Sequence, residues 1–244
     1  MSNQRLLLLS NSKNPNQGYL EHAESTIKDF LGSVSRILFV PFAGVRITYD
    51  QYTDIVRARF THMGYEVDGI HRFDDAKEAI MKAEAIAVGG GNTFHLLKEM
   101  YEASILDSIR KRVEGGLPYI GWSAGSNVAC PTIRTTNDMP IVEPPGFSAL
   151  SLVPFQINPH YTDYHPPGHQ GETRDERLAE FIKANPGIYV VGLREGSMLK
   201  VEGDDLKLLG DKPAKIFLSG KDGVEYNGED SLQFVMSVPQ NGNK

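Results

Sequence analysis

The chain contains a single cysteine, Cys130, among 244 residues. No internal disulfide can form, and the lack of a cysteine framework points to a reducing, cytoplasmic setting. Long apolar runs are missing as well. The stretch Leu6 to Leu9 is far too short for a signal-peptide core or a membrane span, so no membrane partner is expected. Excess positive charge is also absent. The formal net charge is -6 and the two signs are interspersed, which leaves no basic stripe for a phosphate backbone and rules nucleic acid out of the expected partners. There is no internal repeat or low-complexity linker, so residues 1–244 are expected to form one domain with a sizeable core. Cys130 follows Ala129 in an apolar stretch and reads as a small buried hydrophobe.

Short apolar runs alternate with amphipathic stretches through the first half. RLLLLS, RILFVPFA, YEVDGI and AIAVGGG read as strands, while 19–31, 49–63, 75–83 and 93–100 read as helices. That rhythm predicts an α/β fold, a mainly parallel sheet with helices on both faces. Four prolines break the segment CPTIRTTNDMPIVEPPGFSAL into an irregular loop. A helix resumes over 173–184, and IYVVGL, SMLKVEG, LKLLG, AKIFLSG and GVEYNG read as short strands joined by glycine turns.

Ligands of parallel α/β sheets bind beyond the carboxyl ends of the strands, where this chain places PFAG, GGGNT and GWSAG. In GWSAG, Ser123 stands between two glycines at a strand-to-helix junction, a setting that can project a nucleophilic hydroxyl. GGGNT lacks the third glycine of a dinucleotide site, because Phe94 occupies it, and no P-loop lysine follows. Its glycines suit a backbone N-H that approaches an oxyanion, alongside the N-H of Ala124. A serine needs a base and a group that orients it. The bases on offer are His160, His165 and His169, in a loop after LVPFQI; the same three could instead ligate zinc. For the acid, Asp138 is favoured by its Thr and Asn neighbours, with Glu143 and Asp163 as rivals.

LLLLSNS, PFAG, VGGGNTFHLLKE, YIGWSAGSNVACPTIRTTNDMPIV, QINPH and GETRDER, in this order and spacing, resemble the peptidase E family (S51) of serine peptidases, over nearly the whole chain. The resemblance implies a flavodoxin-like fold related to class I glutamine amidotransferases and the hydrolysis of Asp-X dipeptides through an acyl-enzyme, with no metal or organic cofactor. It makes Ser123 the nucleophile, His160 the base and Asp138 the orienting acid. Gly91 and Ala124 become the oxyanion donors, and Arg174 the partner of the substrate's aspartate side chain. The expected partner is therefore a small Asp-X peptide, and a homodimer remains open. Two positions depart from the family pattern: Ser126 stands where it has alanine, and Glu143 where it has aspartate. A cyanophycinase-like hydrolase or a non-catalytic binder of acidic metabolites are the alternatives.

Overall fold

The computed structural model describes residues 3–168 and 170–237. The first half builds β1 (Arg5–Leu9), α1 (Glu24–Leu31), β2 (Arg36–Val40), α2 (Tyr49–His62), β3 (Glu66–Gly69), α3 (Ala76–Lys82) and β4 (Ile86–Val88). Two helices, α4 (Thr93–Glu102) and α5 (Leu106–Glu114), then precede β5 (Tyr119–Trp122) and α6 (Ala124–Ala129). After the proline-rich segment come β6 (Gln156–Tyr161), α7 (Arg174–Ala184), β7 (Val190–Arg194), β8 (Met198–Glu202), β9 (Asp205–Leu209), β10 (Ala214–Leu218) and β11 (Lys221–Tyr226).

The strands form two sheets. The larger has the order β3-β2-β4-β5-β1-β8-β9, parallel from β3 to β1 and closed at one side by the antiparallel pair β8 and β9. The smaller has the order β11-β10-β7-β6, in which β6 is an edge strand running parallel to β7. The C-terminal strands thus divide, β8 and β9 extending the parallel sheet and the rest building a second one.

Side-chain alternation in β1 explains why four consecutive leucines are needed. Leu6 and Leu8 face one core, Leu7 and Leu9 the other, as a strand covered on both faces requires. The first of these cores also takes in Ile157, Val191, Leu193 and Ile216 of the smaller sheet, so the two sheets share it. Helix starts follow local chemistry. Thr48 and Thr173 form capping boxes with Gln51 and Glu176, while Asp75 and Asn92 accept from the first-turn N-H groups of α3 and α4. Among the described residues no helix is long and apolar enough to cross a membrane.

Two local expectations fail. His160 lies in strand β6 and not in a loop, and α5 fills a stretch where no element was expected. Pro159 fits within β6 because the strand is an edge and its missing N-H would face away from β7.

Cys130 is fully buried, and its sulfur accepts the N-H of Ile157 at 3.2 Å. Burial pushes the thiol up to about 12. At pH 8 it is therefore a neutral thiol, and iodoacetamide is expected to leave the native protein unmodified by mass spectrometry while alkylating one site after denaturation. Alkylation of the native chain at the denatured rate would contradict the burial.

Candidate active site

Ser123 joins β5 to α6 with φ 53 and ψ -111, a backbone conformation that costs a non-glycine residue of order 1–3 kcal/mol. The flanking glycines make the turn possible by close approach. A Cβ at Gly121 would lie 2.5 Å from the Gly125 carbonyl oxygen, and one at Gly125 would lie 2.1 Å from that of Val88. The motif therefore presses α6 onto β4 and β5 and leaves the Ser123 hydroxyl at the strand ends. Its N-H is tied to Leu9 O at 3.1 Å. Ser126 adds a second tie: its buried hydroxyl lies 2.7 Å from Leu9 O and 3.0 Å from Gly121 O.

The hydroxyl of Ser123 lies 2.9 Å from Nε2 of His160, and Nδ1 of His160 lies 2.7 Å from Oε1 of Glu195. A hydroxyl, an imidazole and a carboxylate are thereby in line. Glu195 follows directly on β7, the neighbour of β6, so adjacent strand ends present the imidazole and the carboxylate side by side. The expected acid, Asp138, is elsewhere. Its Oδ2 accepts from Thr93 N at 2.7 Å, Thr93 Oγ1 at 2.5 Å and Thr136 Oγ1 at 3.1 Å. The unpaired N-H groups at the start of α4 attract this carboxylate, so Asp138 caps a helix and makes no bond to His160. Of its rivals, Asp163 pairs with Arg194 at 3.0 Å, and Glu143 is exposed. Sequence reasoning missed Glu195, although the strand-end rule applied to VVGLREG would have selected it.

Gly91 has φ 139, and a Cβ there would lie 2.2 Å from Ala43 O, so only glycine fits against the PFAG turn. Among the described residues no backbone acceptor takes its N-H. The N-H of Ala124, at the first position of α6, has no intrahelical partner either. The loop carrying Gly91 is braced by Tyr52, which donates to Gly90 O at 2.9 Å and accepts from Trp122 Nε1 at 3.2 Å. The Ser123 turn and the glycine loop are thus coupled through one buried phenol.

Arg174 begins α7 and donates to Oδ1 of Asn137, whose Nδ2 donates to Pro159 O at 2.6 Å. This places the guanidinium one side chain away from the strand that carries His160. Burial, followed by the nearby charge of Arg177, lowers its affinity for a proton. Among the described residues no carboxylate pairs with it; Glu176 is engaged by Thr173 instead, at 2.6 Å from its N-H. No group of three His, Cys, Asp or Glu residues is arranged to hold a metal among the described residues, and His169 lies outside them.

A model of peptidase family S51 matches residues 6–209. A peptidase E from Nostoc sp. is 55% identical over 233 residues, covering 95% of this chain and 96% of its own length. Another peptidase E, from Shewanella amazonensis, is 52% identical over 215 residues, covering 88% and 92%. The crystal structure of a peptidase from an acI-B1 actinobacterium superposes with a TM-score of 0.69 at 16% identity, covering 95% of this chain and 97% of that one, a likeness of fold.

Because Ser126 supplies a buried hydrogen bond where the family pattern has alanine, Ser126→Ala is expected to destabilise the protein by about 1 kcal/mol. The melting temperature should fall by roughly 2–4 °C with catalytic turnover retained. An unchanged or higher melting temperature by calorimetry would remove that role.

Proposed function

Because the chain belongs to peptidase family S51, we propose that it is a serine dipeptidase that hydrolyses Asp-X dipeptides through an acyl-enzyme. The observation that carries this reading is the chain from the Ser123 hydroxyl through His160 to Glu195, with contacts of 2.9 and 2.7 Å, at a strained strand-to-helix turn. In the proposed reaction His160 takes the serine proton through Nε2 as Ser123 attacks the aspartyl carbonyl. Glu195 holds the other ring nitrogen and stabilises the imidazolium. The N-H groups of Gly91 and Ala124 receive the oxyanion. Collapse of the tetrahedral adduct passes the proton from His160 to the leaving amine, and water then repeats the sequence on the ester and frees aspartate.

Substrate choice falls to Arg174. A guanidinium offers a planar fork that suits a carboxylate, and this one is half-buried with no carboxylate of its own among the described residues. An aspartate side chain would supply the missing anion. A neutral asparagine in its place would leave the partly desolvated cation unpaired, and a longer glutamate would displace the scissile carbonyl.

The deciding experiment is incubation with Asp-Leu. Release of free aspartate is expected, whereas binding without turnover would point to a non-catalytic binder. Ser123→Ala should fold normally and lose turnover by on the order of 10⁴-fold. Retention of a tenth of the wild-type rate would remove Ser123 from the role.

The acid is tested by ranking two variants. Glu195→Gln should lower kcat by roughly 10²- to 10⁴-fold, because the imidazole loses the acceptor that fixes its tautomer. Asp138→Asn keeps an oxygen for the α4 cap and should stay within about tenfold of wild type. The reverse order in steady-state assays would return the acid to Asp138.

Specificity gives an independent check. Asn-Leu should be cleaved on the order of a hundredfold less efficiently than Asp-Leu, and Arg174→Met should narrow that gap. An undiminished preference in the variant would place the specificity pocket elsewhere.

A further inference from the structure

The motif Ser10-Asn11 at the end of β1 carries neither nucleophile, base nor donor, yet both residues are buried and polar, at 0% and 2% exposure. Their bonds converge on the two strand ends that supply His160 and Glu195. The hydroxyl of Ser10 accepts the N-H of His160 at 2.8 Å and donates to Leu193 O at 2.7 Å. Its backbone N-H donates to Ser197 O at 3.1 Å. Asn11 Oδ1 accepts the N-H of Gly196 at 2.8 Å, and Asn11 Nδ2 is oriented by Lys13 O and Asn14 Oδ1, each at 2.8 Å. The turn bearing Glu195 is therefore gripped on both sides, two residues before it and one and two residues after it.

The same contact explains the backbone of His160. The β6–β7 register shifts between Pro159 and Tyr161, and His160 has φ 53, so its N-H leaves the ladder and needs an acceptor elsewhere. Ser10 is that acceptor. Without it the strained residue would have a buried, unpaired donor, and the imidazole would lose the anchor that aims it at Ser123.

We infer that Ser10, assisted by Asn11, is a positioning residue that holds His160 and Glu195 in register with Ser123. The inference rests on the serine-peptidase reading above, and extends it from the reacting side chains to the strand end that sets their geometry. Its effect is on the rate of proton transfer and not on substrate affinity.

The test is Ser10→Ala, assayed with Asp-Leu and by NMR of the resting protein. Misplacement of a base is expected to lower kcat on the order of ten- to a hundredfold with KM within about twofold. The acid limb of the kcat/KM profile should move, and the low-field proton shared by His160 and Glu195 should weaken or disappear. A merely structural role would lower the melting temperature and leave those three readouts in place. A folded Ser10→Ala protein with kcat within about twofold of wild type, and an unchanged low-field proton, would overturn the inference. Should Ser10→Ala not fold, Asn11→Ala carries the test, and is expected to lose kcat several-fold at constant KM. Unchanged kcat, or failure of both variants to fold, would assign the pair to stability alone. If the wild-type protein did not cleave Asp-Leu at all, the substrate reading would fail by itself, and the low-field proton in wild type and its loss in Ser10→Ala would still decide the role of Ser10.

Discussion

The edge of β6 is the constraint on which the site depends. An edge strand exposes backbone groups that have no neighbouring strand, and in a buried seam each must find a partner. Here side chains supply them all along the strand. Ile157 O accepts from Asn127 and Thr135, and Ile157 N donates to the Cys130 sulfur. Pro159 has no N-H, and its carbonyl accepts from Asn137. His160 N donates to the Ser10 hydroxyl. The outer side of β6 is thus stitched to α6, to the segment after α6 and to the end of β1, the elements that surround Ser123. Sheet docking and the alignment of Ser123, His160 and Glu195 are one arrangement.

This arrangement gives the segment Thr135 to Met139 a role different from that of a proton relay. Thr135 and Asn137 bind β6, Asp138 caps α4 and Met139 O accepts from Asn92 at 2.9 Å. The segment thus reaches both β6 and the loop that carries Gly91 into α4. The carboxylate at 138 fixes the start of the helix that follows Gly91 and Asn92, while the carboxylate that touches His160 follows β7, the strand beside His160's own.

The alternation of strands and helices was legible because parallel strands buried on both faces leave unbroken apolar runs, as in Leu6 to Leu9 and Ile37 to Val40. Ser123 and its glycines were legible because the close approach of α6 to β4 demands them. The residues alone left His160, His165 and His169 open as bases and the resemblance selected His160, while its strand went unexpected because it contains Pro159, which an edge position tolerates. Helix α5 was obscured by polar residues, with only Leu106, Ile109 and Val113 facing the core. Glu195 was not found because the division into two sheets brings β6 and β7 together across 35 residues, and neighbourhood in sequence instead favoured the Thr and Asn neighbours of Asp138.

The order in which these parts leave the ribosome follows from the same separations. Ser10 is made first and waits 150 residues for the amide it will accept. Ser123 follows, its proton acceptor comes 37 residues later, and the carboxylate another 35 beyond that. Contacts so distant in sequence form late, because loop closure must be offset before they contribute. A nascent chain released through β5 and α6 therefore carries a serine on its turn and nothing to ionise it. On the proposed reading the Ser123 hydroxyl gains its base only when the last-made sheet docks, so a truncated or half-folded chain would be chemically silent toward the peptides around it.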